Sequence, residues 1–453
     1  MLKRFISLFT GDSTSSGKVV IPHSKHSIAN NDVSRNAIKV IERLQQADFE
    51  AYLVGGGVRD LLLDGHPKDF DVATNATPEQ VRKLFRNSRI IGRRFRIVHV
   101  RYGREVIEVT TFRSHHQEGS GKSQESHQSD EGMLLRDNVY GDLQSDAERR
   151  DFTINALYYD PVSRDILDYT RGVNDIDARM LRIIGDPATR FKEDPVRMLR
   201  AVRFAAKLGF EIEPKTAAPI ADLASMLQNI PAARLWDESM KLFMSGYSTA
   251  IFHQMVERDL FKYLFPGSAS HIANPQTMAF FENAMLNTDK RIRADKRVTP
   301  AFIFAVLLWP AVVTRQDELM AEGSSTALQA AHQAQQQVLQ AQLNVISIPK
   351  RFTSVMREIW DLQAALPRRN GRRAYRTLEQ QRFRAAYDFL LLREQSGEDH
   401  QGLGAWWTEF QFADEEKREQ LIAALPRSGN NSNRRRRKPR RSPGQQNPGQ
   451  QEG

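Results

Sequence analysis

The sequence has no cysteine. That excludes disulfides, thiolate nucleophiles and Cys-ligated zinc, and it suits a reducing compartment, so a cytoplasmic location is expected. Long apolar runs are missing as well. The longest lies near residues 301–313, too short to span a bilayer, and it contains Pro310; a buried core helix is expected there. The opening MLKRFISLFTGD has too short an apolar stretch for a signal peptide and no small-residue cleavage site. It reads as a frayed terminus, with weak contact to a membrane surface as the alternative. Two further stretches lack what a core needs. Residues 114–132 contain no apolar side chain and read as a long polar loop. Residues 426–453 have no aliphatic or aromatic side chain beyond proline and are expected to be disordered. His115, His116 and His127 fall in the polar loop, too irregularly spaced for a metal site.

What is present is basic charge, unevenly placed. The net charge is +10 over 453 residues, and residues 427–453 hold eight Lys and Arg against Glu452, leaving +3 for the rest. Such an arm suits binding to a phosphate backbone; a solubilising tail is the bland alternative. A second basic cluster comprises Arg368, Arg369, Arg372, Arg373 and Arg376.

The pattern of apolar residues divides the chain. An amphipathic helix from Arg35 leads to a strand at 51–54, a turn at Gly55–Gly57 and a helix at 58–63. Phe70 and Val72 flank two aspartates on a strand, Thr77 and Pro78 open a short helix, and strands at 96–102 and 105–112 turn at Gly103. After Asp151 helical patterns dominate, at 194–208, 217–227, 232–244 and 251–260, and an Ala/Gln-rich segment at 326–341 keeps some apolar helical face. The expected fold is α+β, a mixed-sheet head followed by an all-helical neck and body and the basic tail. The expected boundaries are a flexible start at 1–30, a head at 31–175, a neck at 176–265, a helical region at 266–425 and the tail at 426–453.

The chemistry concentrates in LVGGGVRDLLLDGHPKDFDV, residues 53–72. On a strand Asp69 and Asp71 point the same way, about 7 Å apart, where they repel without a cation. Divalent metal would explain them; an aspartate pair beside a turn is the bland alternative. The glycine turn admits phosphates close to backbone N–H groups, and Arg59 follows it. The spacing fits neither a Walker A loop nor a dinucleotide fingerprint. Glu108, on another apolar strand, is a candidate third ligand if that strand neighbours Asp69 and Asp71.

LVGGGVRD, KDFDVAT, RRDFTINAL (149–157) and EDPVRMLRAVRFAAKLGF (193–210) resemble the class II tRNA nucleotidyltransferase and bacterial poly(A) polymerase family, within the DNA polymerase β superfamily. The resemblance implies that Asp69 and Asp71 bind catalytic Mg²⁺ or Mn²⁺, and that Gly55, Gly56 and Arg59 contact a triphosphate. It implies that Arg150 and Asp151 bind the sugar and phosphate side of the nucleotide, Asp151 being a third essential carboxylate in the poly(A) branch. It assigns base reading to Asp194 and Arg197, which at i and i+3 would share a helix face, and phosphate contacts to Arg200 and Arg203. Three features favour the poly(A) branch over CCA addition: IIGRRFRIVHV (90–100), no HD-type metal signature after about residue 265, and the arginine-rich end. The implied substrates are ATP and RNA 3′ ends (mRNA, small RNAs, tRNA-like ends), and RNA-decay proteins are the implied partners. A non-catalytic RNA-binding protein with a degenerate head is the reading from another class.

Overall fold

The computed structural model describes residues 17–92, 96–114, 126–128, 134–137, 139–323 and 326–426. The opening twelve residues, the arginine-rich tail, and His115 and His116 lie outside the described residues.

Helix α1 (Arg35–Gln45) starts where the Ser34 hydroxyl accepts from Asn36 and Ala37 N–H, and it buries Ala37, Val40, Ile41 and Leu44. Around it the head builds an eight-stranded sheet. In chain order its strands are β1 (Val19–Ile21), β2 (Ala51–Val54), β3 (Asp71–Thr74), β4 (Ser88–Ile91), β5 (Ile97–Tyr102) and β6 (Glu105–Thr111); after the hairpin β7 (Ser126–Gln128) and β8 (Leu134–Asp137) come β9 (Leu157–Tyr159) and β10 (Ile166–Asp168). The spatial order is β1-β10-β9-β2-β3-β6-β5-β4, and only β3 and β6 run parallel. Val19–Ile21 falls inside the stretch expected to be loose, and forms an edge strand. Between the strands lie α2 (Gly56–Leu62), α3 (Pro78–Leu84) and α4 (Leu143–Arg149), followed by α5 (Gly172–Asp177), α6 (Pro187–Glu193) and α7 (Val196–Leu208).

Both faces of the sheet are covered, and side-chain alternation decides which residues go where. Leu53, Val72, Val109 and Tyr159 pack with Val40, Ile41 and Val81 of α1 and α3. Val54, Ala73, Phe112 and Tyr158 pack with Leu143 and Ala147 of α4. The first of these cores continues without a break into the helical body, through Phe243, Phe281, Phe304 and Trp360. The apolar run forms the helix Pro300–Ala321 with Pro310 inside it, and the Ala/Gln-rich segment forms Ala327–Val345, capped by Thr326. A separate cluster around Leu366, Phe383, Trp407 and Phe410 closes the carboxyl-terminal end of the described chain.

Three sequence expectations need correction. Asp69 is not on a strand: β3 begins at Asp71, since Pro67 and two aspartates are poor strand formers. Residues 194–208 are not one helix: Asp194 is extended (φ −149°, ψ 91°) and α7 starts after Pro195, because proline drives the preceding residue out of the helical region. Residues 217–227 are not one helix either. Pro214 and Pro219 divide them into the short helices Pro214–Ala217 and Ile220–Leu223, followed by a 3₁₀ stretch, Ala224–Asn229.

Candidate active site

The register of the sheet lines up one row of residues across it. Tyr158 pairs with Val54, Val54 with Asp71, Asp71 with Glu108, and Glu108 with His99. Alternation puts Asp71 on the face of Ala73 and Val54, toward α4. Gly55 follows Val54 directly, at φ 76° and ψ −135°, a conformation essentially restricted to glycine. A glycine turn and a carboxylate thus meet at the end of two paired strands, β2 and β3. Asp69 lies exposed just before β3.

The electrostatics mark Asp71. Burial, then Glu108 and Asp69, push its carboxyl up to about 6, against the opposing pull of Arg150. Glu108 accordingly neighbours Asp71, as the third-ligand reading required, while its side chain meets His99 at 3.1 Å. Among the described residues no group of three or more His, Asp or Glu side chains is arranged to hold a metal ion. The donor set that fits is therefore Asp71 and Asp69 with substrate phosphates and water, an all-oxygen set of the kind Mg²⁺ takes with only one or two carboxylates. Crowded carboxylates that a cation would relieve are the observation favouring that fit.

A second group lies beside this row. Arg59, only 3% exposed, folds back over Gly56 and donates to Asp60 and to the Asn155 side-chain oxygen at 2.5 Å. Asn155 donates in turn to Asp151 (3.0 Å), which also accepts from Phe152 N–H and Arg200. Burial pushes the Asp151 carboxyl up, but Arg200, Asn155 and the Phe152 N–H more than offset it and hold it well below the usual carboxylate range. Arg59, Arg200 and Arg203 all surround the Phe204 ring, at 5.2, 5.2 and 4.5 Å. Burial, and then Arg200, bring the Arg203 guanidinium down to about 10, an environment that an anion would improve.

The expected base-reading pair forms a third group. Arg197 donates to Glu193 (2.8 Å) and to the Arg190 carbonyl, while Asp194 accepts from Arg234 (2.7 Å) of the helix Ala232–Phe243. Arg190 also donates to the backbone carbonyls of Arg149 and Arg150, tying this group to the first. The sequence reading missed Asn155, Phe204, Glu193 and Arg234. Glu193, Phe204 and Asn155 all stood in the quoted motifs; nothing local marks Arg234.

A mixed sheet that carries a glycine turn and paired aspartates, followed by a helical body, is an arrangement suited to nucleotidyl transfer. Family-level profiles match residues 51–182 as "Poly A polymerase head domain", 209–272 as "Probable RNA and SrmB- binding site of polymerase A" and 323–442 as "Polymerase A arginine-rich C-terminus". Poly(A) polymerase I of Escherichia coli O6:H1 is 46% identical over 94% of this chain and 92% of its own length. The Salmonella typhimurium enzyme of the same name is 48% identical over 86% and 85%. Among solved structures, the CCA-adding enzyme of Bacillus stearothermophilus in complex with CTP is similar at TM-score 0.54 and 26% identity, over 86% of this chain and 82% of that one. The chain belongs to the poly(A) polymerase I family, and it is a polynucleotide adenylyltransferase. Enzymes of this family use a nucleotide substrate and, in general, divalent metal. No helix among the described residues is long and apolar enough to cross a membrane.

Proposed function

We propose that this chain adds AMP from ATP to RNA 3′ ends without a template, by direct in-line attack of the 3′-OH on the α-phosphorus with loss of pyrophosphate. The observation that carries the reading is the row that places Asp71 beside the Gly55 turn. Asp69 and Asp71 would hold Mg²⁺ there, with Mn²⁺ as a substitute. Bound metal of this kind lowers the pKa of an attacking hydroxyl and offsets charge on the leaving pyrophosphate. Gly55 and Gly56 present backbone to the triphosphate, and Arg59, Arg150, Arg200 and Arg203 supply positive charge around it. Asp151 is the third essential carboxylate, acting on the nucleotide side through Arg200 and Asn155. Asp194 and Arg197 pair an acceptor with a fixed donor fork, enough to match a base edge without a template. Glu193 and Arg234 hold these two in place.

The domain reading is a nucleotidyltransferase head at 31–175, an RNA-binding neck at 176–265, an RNA-binding helical region at 266–425 and the arginine-rich tail at 426–453, which reaches RNA through phosphates and so tolerates many sequences. The substrates would be mRNA, small RNAs and tRNA-like ends, the outcome RNA turnover with RNA-decay proteins as partners, and the place of action the cytoplasm. Likeness to a CCA-adding enzyme keeps CCA repair of tRNA as the second reading. Incubation of a generic RNA with each NTP and Mg²⁺ separates the two. Long tails with ATP alone are expected; repair of tRNA ends using CTP and ATP, without tailing, would favour the second.

A further inference from the structure

We infer that Asp146, together with the Tyr158 hydroxyl, is a positioning residue that aims the Arg150 guanidinium at the glycine turn; the inference rests on the reading of Arg150 as a nucleotide-binding residue. The chain leaves α4 at Arg150, whose backbone is extended (ψ 170°), so helical geometry no longer fixes its side chain. An arginine side chain left to itself has rotamer entropy to lose when it engages a ligand. Asp146 removes that freedom in advance. It is 6% exposed, and its Oδ2 accepts from Arg150 Nε (3.1 Å), Arg150 Nη2 (2.9 Å) and the Tyr158 hydroxyl (2.7 Å). Its Oδ1 accepts from the Arg113 N–H at 3.1 Å, which ties the carboxylate to the chain just beyond β6. The Tyr158 hydroxyl also stands 3.0 Å from Arg150 Nε, and the guanidinium lies 5.3 Å from the Tyr158 ring centre.

Each of the bonds that Arg150 makes here uses the Nε and Nη2 edge of its guanidinium. The remaining nitrogen, Nη1, is directed at the turn, 3.7 Å from where a Cβ on Gly55 would stand. Tyr158 begins the row that reaches Asp71, so the clamp is built on the strand register that places the carboxylate. A purely structural aspartate would need its bonds but would have no reason to leave one guanidinium nitrogen facing a glycine turn.

The test uses the full chain with Asp146→Asn and Tyr158→Phe, each alone and combined with Arg150→Ala. ATP and RNA kinetics and thermal unfolding are measured for all of them. Each single variant is expected to raise KM for ATP roughly tenfold, the scale of one charge-assisted hydrogen bond, with KM for RNA unchanged. On the Arg150→Ala background the further change should vanish. Persistence of the full effect on that background would overturn the inference, as would an unchanged KM for ATP in Tyr158→Phe, which removes one oxygen and keeps the ring packing. If Arg150→Ala itself left ATP kinetics unchanged, the reading of Arg150 would fall first. An impaired Arg150→Ala beside normal Asp146→Asn and Tyr158→Phe would sink the clamp alone.

Discussion

Asp71 and Asp151 are partly buried carboxylates whose surroundings drive them in opposite directions. Asp71 is raised by burial and by Glu108 and Asp69, whereas Asp151 is held down by Arg200, Asn155 and the Phe152 N–H in spite of its burial. A depressed folded-state pKa stabilises the protein above the unfolded value of about 3.9 and loses that contribution as pH falls through the folded value. Replacing Arg200 by alanine removes the largest influence that opposes burial, leaving only Asn155 and the Phe152 N–H against it, and the carboxyl rises. The variant's penalty should then grow with rising pH and level off by neutral pH at roughly 1–3 kcal/mol, the cost of leaving a partly buried group without its partner. Thermal unfolding of Arg200→Ala between pH 4 and 8 should show its largest deficit at neutral pH, and Asp151→Asn should recover part of it. A deficit independent of pH would deny the pairing its role. Residues of this kind were only partly legible. Asp71 and Gly55 stood out because an aspartate in a strand and a glycine triplet break local rules. Asn155, Asp146 and Tyr158 break none, and their importance comes from partners that the sheet brings together, as when Arg59 meets Asn155 across 96 residues of sequence.

At the scale of elements, helices and strands followed their periodicity, from the buried face of α1 to the strands β5 and β6. The failures occurred where proline or aspartate overrode the pattern. The break at Pro195 is the informative one, because it leaves Asp194 extended at the very start of the helix that carries Arg197. The Asp194 carbonyl still accepts from the Arg197 N–H at 2.9 Å, while its side chain accepts from Arg234 of another helix. Pro195→Ala removes the restriction on Asp194 and lets it enter the helical region. The ratio of kcat/KM for ATP to that for CTP should fall by about tenfold, one lost bidentate-type discrimination of roughly 1–3 kcal/mol. An unchanged ratio would place nucleotide choice elsewhere. The hairpin β7–β8, whose first strand lies in the polar stretch and whose second lies just beyond it, had no sequence signal, since neither strand alternates apolar and polar residues.

For the whole molecule, charge is the property the sequence shows most openly. Residues 427–453 carry eight basic side chains against Glu452. Single-stranded RNA binding driven by counterion release changes with log salt by about 0.7 per phosphate neutralised. Deleting 427–453 should therefore flatten the salt dependence of RNA affinity by up to about 6 in slope and leave KM for ATP unaltered. Equal slopes with and without the tail would remove it from RNA binding. The continuity of one core from head to body could not be read from sequence, because it depends on which helix faces meet. The central claim, that Asp71 holds the metal for adenylate transfer, can be tested through the residue type the chain lacks. Asp71→Cys introduces a unique thiol, which binds Mg²⁺ poorly and thiophilic ions well. AMP incorporation into RNA by this variant should be lost in Mg²⁺ and partly restored by Mn²⁺ or Cd²⁺. Incorporation in Mg²⁺ alone within about twofold of the parent, a difference of less than about 0.5 kcal/mol, would contradict the account.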